Sequence, residues 1–202
     1  MKIIFATGNK SKLREIREIM AGTGYEIITA EEAGIISEPE ETGSNFEENA
    51  LIKARAVFNE TDRSAIVMAD DSGLCIDHLG GEQGELGIHS ARFMGHDTSY
   101  DIKNAEILKR MEDVPDEGRG ARFVCAVAVI LPSGSEITVR ESMTGRVAYE
   151  ASGNNGFGYD PIFYLPEFGK TSADISPEAK NLISHRGKAL RHMRAVLSEA
   201  GV

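Results

Sequence analysis

Long hydrophobic runs are missing from this 202-residue chain, and no apolar stretch approaches the roughly 20 residues of a membrane-spanning helix. A membrane partner is therefore not expected. Cysteine is scarce: Cys75 and Cys125 each lie in an apolar segment, without metal-ligand spacing. They read as reduced core thiols of a cytoplasmic protein. Positive charge is short as well, 22 Lys and Arg against 32 Asp and Glu, for a formal net charge of −10. That balance disfavours a nucleic-acid polymer as partner. Repeats, low-complexity tracts and long Pro/Gly/Ser linkers are absent, so residues 1–202 are expected to form a single domain. The start, Met1-Lys2-Ile3-Ile4-Phe5, turns polar too soon for a signal peptide and reads as a first strand.

What the chain does have is a pair of adjacent acids, Asp70 and Asp71, after the apolar run Ala65-Ile66-Val67-Met68-Ala69. The run reads as a buried strand. Two carboxylates at its end are costly unless a cation meets them. Alternation along a strand sends the two side chains opposite ways. Oxygen donors of this kind suit Mg²⁺, which takes one or two carboxylates and leaves the rest to water and phosphate.

The positive charges that exist are clustered. Lys10, Lys12, Arg14 and Arg17 crowd one segment; Lys180, His185, Arg186, Lys188, Arg191, His192 and Arg194 crowd another. Such clusters suit a small polyanion better than a polymer, while solvated helix faces are their ordinary meaning.

Periodicity predicts helices over 11–20, 44–58 and 100–111, and a last helix from a Ser184 cap to about Glu199. Strands are expected over 2–6, 123–131, 136–141, 145–150 and 161–165, with a turn at 132–135. The result is an α/β protein with a mixed sheet and flanking helices.

Four segments carry chemistry. In Thr7-Gly8-Asn9-Lys10-Ser11-Lys12, between strand and helix, left-handed Gly8 and Asn9 are expected to converge N–H groups on a phosphate, aided by the helix N-terminus and two lysines. The spacing is not that of a Walker A loop. Ahead of the second helix, Glu38, Glu40 and Glu41 cluster, with Thr42 or Ser44 as candidate caps and Lys53 about two turns further on. Asn154-Asn155-Gly156-Phe157-Gly158-Tyr159-Asp160 offers glycines for close approach and aromatic faces for a flat base. Ser184-His185-Arg186-Gly187-Lys188 could address a phosphate or a carbonyl edge.

Segments 7–12, 40–54, 69–74, 87–93, 155–163 and 183–190, in this order, resemble the inosine triphosphate pyrophosphatase family over nearly the whole chain. The resemblance implies an elongated two-lobed domain with a central cleft, a homodimer, and Mg²⁺-dependent hydrolysis of aberrant purine nucleoside triphosphates (dITP, ITP, XTP) to monophosphate and pyrophosphate. It implies Thr7, Gly8, Asn9, Lys10, Ser11 and Lys12 for the triphosphate, supported by Lys53. Asp71 is the implied metal ligand and general base. The second ligand comes from the Glu40–Glu41 pair, with Glu41 favoured. Ser72, Phe157, Gly158, Tyr159, Asp160, Lys180, His185 and Arg186 are implied nucleotide contacts. Between Gly80 and Gly87 the chain is longer than the family spacing, which leaves open the geometry around Ser90 and Arg92.

Donors such as Arg186 or backbone N–H groups would favour the C6 oxygen of hypoxanthine and xanthine over the amino group of adenine. Guanine, which shares that oxygen, must be refused at its 2-amino group. The alternatives are a pyrophosphatase for other nucleotides, a nucleotide sensor without turnover, and a nucleic-acid-binding module.

Overall fold

The computed structural model describes residues 1–201. Its elements, in chain order, are β1 (Lys2–Phe5), α1 (Lys10–Ile19), β2 (Glu26–Thr29), α2 (Phe46–Phe58), β3 (Ile66–Ile76) and α3 (Tyr100–Arg110). There follow β4 (Gly120–Ile130), β5 (Glu136–Val147), β6 (Phe163–Leu165), β7 (Lys170–Thr171), α4 (Pro177–Ile183) and α5 (His185–Glu199). The strands form one sheet in the order β2-β1-β3-β4-β5-β6-β7. β1 runs parallel to β2 and β3, with α1 supplying the first crossover. β6 is antiparallel to β5 and β7. A tight turn joins β4 to β5, closed by Leu131 N–H to the Ser135 carbonyl at 2.9 Å. So short a link forces those strands antiparallel, and the mixed α/β sheet read from the sequence is the one found.

Chain contacts group into two compact units. The first holds Met1–Asp71, Cys125–Glu141 and the chain from Arg186 onward. Its core packs Ile3, Phe5, Ile66, Met68, Val127 and Val129 with Ile16 of α1 and Leu190, Met193 and Leu197 of α5. β4 is buried along nearly its whole length, which explains its almost unbroken apolar sequence. The second unit holds Ser72–Val124 and Ser142–His185. Its core joins Leu74, Ile76, Ile107, Met111, Phe123, Phe163 and Leu165.

Arg119 anchors the second unit. It is 1 % exposed. Its guanidinium donates to the carbonyls of Val147 (2.9 Å), Met111 (2.5 Å), Val114 (3.2 Å) and Ala148 (2.6 Å). One planar fork thus closes the end of α3 and the end of β5 together.

The structure corrects several expectations. β3 does not stop at Ala69 but continues to Ile76, because the carboxylates meet cations and Leu74, Cys75 and Ile76 resume burial. The two strands expected over 136–150 are one. Gly145 marks a close approach, since a Cβ there would lie 2.5 Å from the Tyr164 carbonyl oxygen and 2.8 Å from the Phe163 ring. β2, β7 and α4 were not anticipated, being short elements with little periodicity. Segment 161–165 begins as a 3-10 turn (Asp160–Ile162) before β6. The lengthened loop folds into 3-10 turns at Asp77–Leu79 and Gly81–Gln83, with another at Gly87–His89. Leu86 is buried beneath it, and a Cβ on Gly87 would collide with the Glu82 carbonyl at 1.9 Å. Ser90 is held beside it, its hydroxyl donating to the Gly87 carbonyl at 2.6 Å and accepting from Leu74 N–H at 2.8 Å.

Candidate active site

β3 delivers the acids by alternation. Ile66 and Met68 pack in the core with α1 and α5, and Asp70 continues that row. Asp71 lies on the opposite row, where it meets α2. The separation anticipated for the pair is what the backbone produces.

Asp71 is 6 % exposed. Its Oδ1 accepts from Lys53 Nζ at 2.7 Å and its Oδ2 from Asn49 Nδ2 at 3.4 Å. Lys53 Nζ also donates to Glu41 Oε1 at 2.9 Å. Burial lifts the Asp71 pKa above the ordinary carboxylate value, although Lys53 and Lys12 pull it back. Burial also opposes the charge on Lys53, but Asp71, Asp70 and Glu41 outweigh it and hold that pKa above the usual lysine value. Lys53 is therefore no ordinary surface lysine: its side chain is only 16 % exposed and its ammonium is shared between two acids.

Glu41 reaches this point because Gly43 lets the preceding segment press against α2. A Cβ on Gly43 would sit 2.7 Å from both Asn49 Oδ1 and Glu48 Cβ. Gly43 N–H donates to that same Asn49 Oδ1 at 2.8 Å. Asn45, rather than Thr42 or Ser44, caps α2 through Glu48 N–H, while Ser44 donates from its backbone and hydroxyl to Glu48. Glu40 remains exposed.

Two carboxylates converging on one positive charge form a donor set that suits Mg²⁺, with Lys53 as the cation present between them. No group of three or more His, Cys, Asp or Glu arranged for a metal occurs among the described residues. Glu41 and Asp71 are the two carboxylates here that could offer oxygens to such an ion, and Mg²⁺ commonly completes its shell with water and phosphate oxygens.

Asp70 is engaged elsewhere. Lys12 Nζ lies 3.0 Å from Asp70 Oδ2. Arg186 donates from Nε and Nη2 to the same oxygen at 3.3 Å, and from Nη1 to Glu15 Oε2 at 2.5 Å. Arg186 is 3 % exposed, and its positive charge is favoured by Asp70 and Glu15 against the cost of burial. Expected as a nucleotide contact, it holds β3, α1 and α5 together in this structure. Glu15 was missed; its sole signal was an acid on the apolar face of α1.

The 7–12 segment differs in detail from the expectation. Asn9 has φ −86° and caps α1, its carboxamide oxygen accepting from Ser11 N–H at 3.0 Å and Lys12 N–H at 3.1 Å. Gly8 is not among the left-handed glycines. No left-handed nest forms, because a helix cap satisfies the N–H groups the nest would have presented. Thr7 accepts from Asn9 N–H at 3.2 Å. Lys10 is exposed at the helix start, and a Cβ on Gly8 would meet nothing within 4 Å. The glycine is not demanded by packing of the chain itself.

In the second unit, Asp160 locks its own loop. Buried to 2 % exposure, it accepts from Phe157 N–H (2.8 Å), Lys180 Nζ (2.7 Å) and Ser172 Oγ (3.0 Å). Gly156 and Gly158 take φ of 75° and 69°, the left-handed turns that lift Phe157 out of line. Lys180 lies 5.1 Å from the Phe157 ring centroid. The Tyr159 hydroxyl donates to the Ser90 carbonyl at 2.6 Å. His185 stacks on Phe123 with centroids 4.9 Å apart. Ser72 lies within β3, half-buried. Asn49 and Ser172 were missed as well, since a neutral polar residue gives no signal until its acid partner is known.

The sequence profile of the Ham1 family matches residues 3–196. Among curated proteins, the chain is 42 % identical over 201 residues to a dITP/XTP pyrophosphatase of Exiguobacterium sibiricum, covering 98 % of each. It is 45 % identical over 189 residues to one of Geobacillus kaustophilus, covering 94 % of this chain and 90 % of that protein. Among solved structures, the Staphylococcus aureus Ham1 protein superposes with a TM-score of 0.85 at 36 % identity, covering 99 % of this chain and 100 % of that one. A HAM1 protein from Coxiella burnetii gives 0.86 at 37 % identity, covering 98 % and 99 %.

Proposed function

The chain belongs to the Ham1 family, and on that premise we propose that it hydrolyses non-canonical purine nucleoside triphosphates, dITP, ITP and XTP, to the monophosphate and pyrophosphate. This activity would clear deaminated purines from the nucleotide pool. The observation that carries the reading is the convergence of Asp71 and Glu41 on the Lys53 ammonium at 2.7 and 2.9 Å. A pure binding protein has no need of two carboxylates aimed at one cation.

Water attacks the α-phosphorus, the bond to the bridging oxygen breaks, and pyrophosphate leaves. The chemical burden is mainly the neutralisation of phosphate charge. Glu41 and Asp71 would hold Mg²⁺, which supplies charge neutralisation at the phosphates. In this reading Asp71 would also accept the proton of the attacking water, help worth on the order of 10²–10⁴-fold. Lys10, Lys12 and Lys53 neutralise the polyphosphate. The 156–160 segment and His185 supply the surface for the base. Arg186 acts at a distance in this reading, by fixing Asp70 and through it Lys12.

The same reading carries a homodimer, testable by light scattering, and a cytoplasmic setting, in keeping with two buried thiols that form no disulfide. No helix among the described residues is long and apolar enough to cross a membrane.

The deciding experiment is pyrophosphate release from ITP, XTP, dITP, GTP and ATP, with Mg²⁺ and with EDTA. Metal-dependent turnover of the first three, far above the last two, is expected. Tight nucleotide binding without any turnover would replace the enzyme by a sensor.

A further inference from the structure

The segment 157–159 has an uneven hydrogen-bonding inventory. Its three carbonyls are all engaged. Phe157 C=O accepts from Asp160 N–H at 3.4 Å and Tyr159 C=O from Ile162 N–H at 3.1 Å, both within the local turn. The Gly158 carbonyl accepts from a side chain distant in sequence, Asn104 Nδ2, at 3.1 Å. By contrast, the N–H groups of Gly158 and Tyr159 have no hydrogen-bond partner among the described residues. The segment is left with donors to offer and its acceptors occupied.

Asn104 sits on α3, buried to 4 % exposure. Its Oδ1 makes no hydrogen bond. A buried amide oxygen without a partner is costly, and turning the amide over would set oxygen against the Gly158 carbonyl. The arrangement therefore leaves one acceptor unmet in order to silence another. Neighbouring residues hold α3 in place for it. Tyr100 packs edge-on against Tyr159 with centroids 5.1 Å apart, and Lys103 Nζ donates to the Ala91 carbonyl at 2.9 Å.

We propose that Asn104 is a specificity-determining positioning residue: by engaging the Gly158 carbonyl it weakens that acceptor and leaves the N–H groups of the 157–159 segment as the stronger offer, which suits a C6 oxygen and disfavours the C6 amino group of adenine. The inference rests on the reading of this segment as the base-binding loop. A freed Gly158 carbonyl would accept a hydrogen bond from an exocyclic amino group, whereas an oxo group would face it with repulsion. At C6, loss of the cap thus favours adenine over the 6-oxo purines, hypoxanthine, xanthine and guanine alike.

The test is kcat and KM for ITP, GTP and ATP in Asn104→Leu, with Asn104→Ala beside it because the smaller variant also removes the donor should the leucine fail to fold. The expected result is a rise of roughly 10-fold in the kcat/KM of ATP relative to ITP, with GTP following ITP, the scale of one hydrogen bond gained or lost. It should appear in KM, with kcat for ITP little changed. An unchanged ratio in a folded variant overturns the proposal. So does an equal fall for all three substrates, which a merely structural role would give. Phe157→Ala separates the two layers. If its KM for ITP rises while the Asn104 variants keep wild-type ratios, this inference alone fails. If the Phe157→Ala KM is unchanged, the base-loop reading fails with it.

Discussion

Lys53 Nζ lies 2.7 Å from Asp71 Oδ1, across 18 residues of sequence, and joins α2 to β3 at the point where chemistry is proposed. Removing the charge from one side of that contact tests the catalysis. Asp71→Asn keeps the shape and the bond to Asn49 but loses both cation ligation and proton acceptance. Turnover of ITP should fall by at least about 10²-fold, in kcat more than in KM. Wild-type-like turnover would remove Asp71 from the reaction.

Removing the other side tests what Lys53 does for the fold. Lys53→Met leaves Asp71 and Glu41 facing one another with no cation between them. Breaking a buried pair in this way costs about 3 kcal/mol, reduced by the partial exposure of the site. Thermal unfolding in EDTA should show a lowered Tm. Added Mg²⁺ should raise the Tm of the variant more than that of the wild type, because the ion replaces the missing charge. Equal metal-induced shifts in both proteins would contradict the assignment of Glu41 and Asp71 as ligands.

Arg119 offers a test of stability remote from the acids. Arg119→Met would strand the carbonyls of Val147, Met111, Val114 and Ala148 in the core. The expected loss is on the order of 4 kcal/mol, read from the urea midpoint. A loss below about 1 kcal/mol would show that water or a backbone shift satisfies them instead.

The surface gives a prediction in acid. The Tyr149 hydroxyl and then Arg146 hold the Asp116 carboxyl below its ordinary value of 3.8. A depressed folded pKa means that stability is present above the unfolded value and is lost as pH falls through the folded one. Asp116→Asn should therefore lower Tm slightly at neutral pH and make the acid-side decline of Tm shallower. An identical acid slope would mean the interaction persists equally in the unfolded chain.

Much of the first unit was legible because burial writes a plain pattern. The apolar residues of β1, β4 and α5 announced themselves, and Asp70 and Asp71 stood out against the run before them. What was hidden depends on partners far away in sequence. β3 looked finished at Ala69, since nothing local shows that Lys12, Lys53 and Arg186 wait for its acids, the last of them 116 residues on. Residues 142–144 read as a gap between two strands, and nothing local shows that Gly145 marks a close approach inside a single one. Gly8 and Asn9 read as a nest because the competing use of Asn9, as a helix cap, differs only in its own dihedral angles. Arg186 read as a ligand group, and basic character at a helix start gives no sign that Asp70 and Glu15 also surround it. Neutral partners such as Asn49, Asn104 and Ser172 left no trace at all.

The alternation that parts Asp70 from Asp71 has a consequence for how this segment tolerates change in length. A strand counts in twos. Inserting one residue between Ile66 and Ala69 would bring Asp70 to the α2-facing position beside Lys53, turn Asp71 to the opposite row, and leave Arg186 facing Ala69. Two such changes would restore the sides. The chemistry here is addressed by parity along the backbone, so a library of β3 length variants should alternate between dead and partly active as residues are added one at a time.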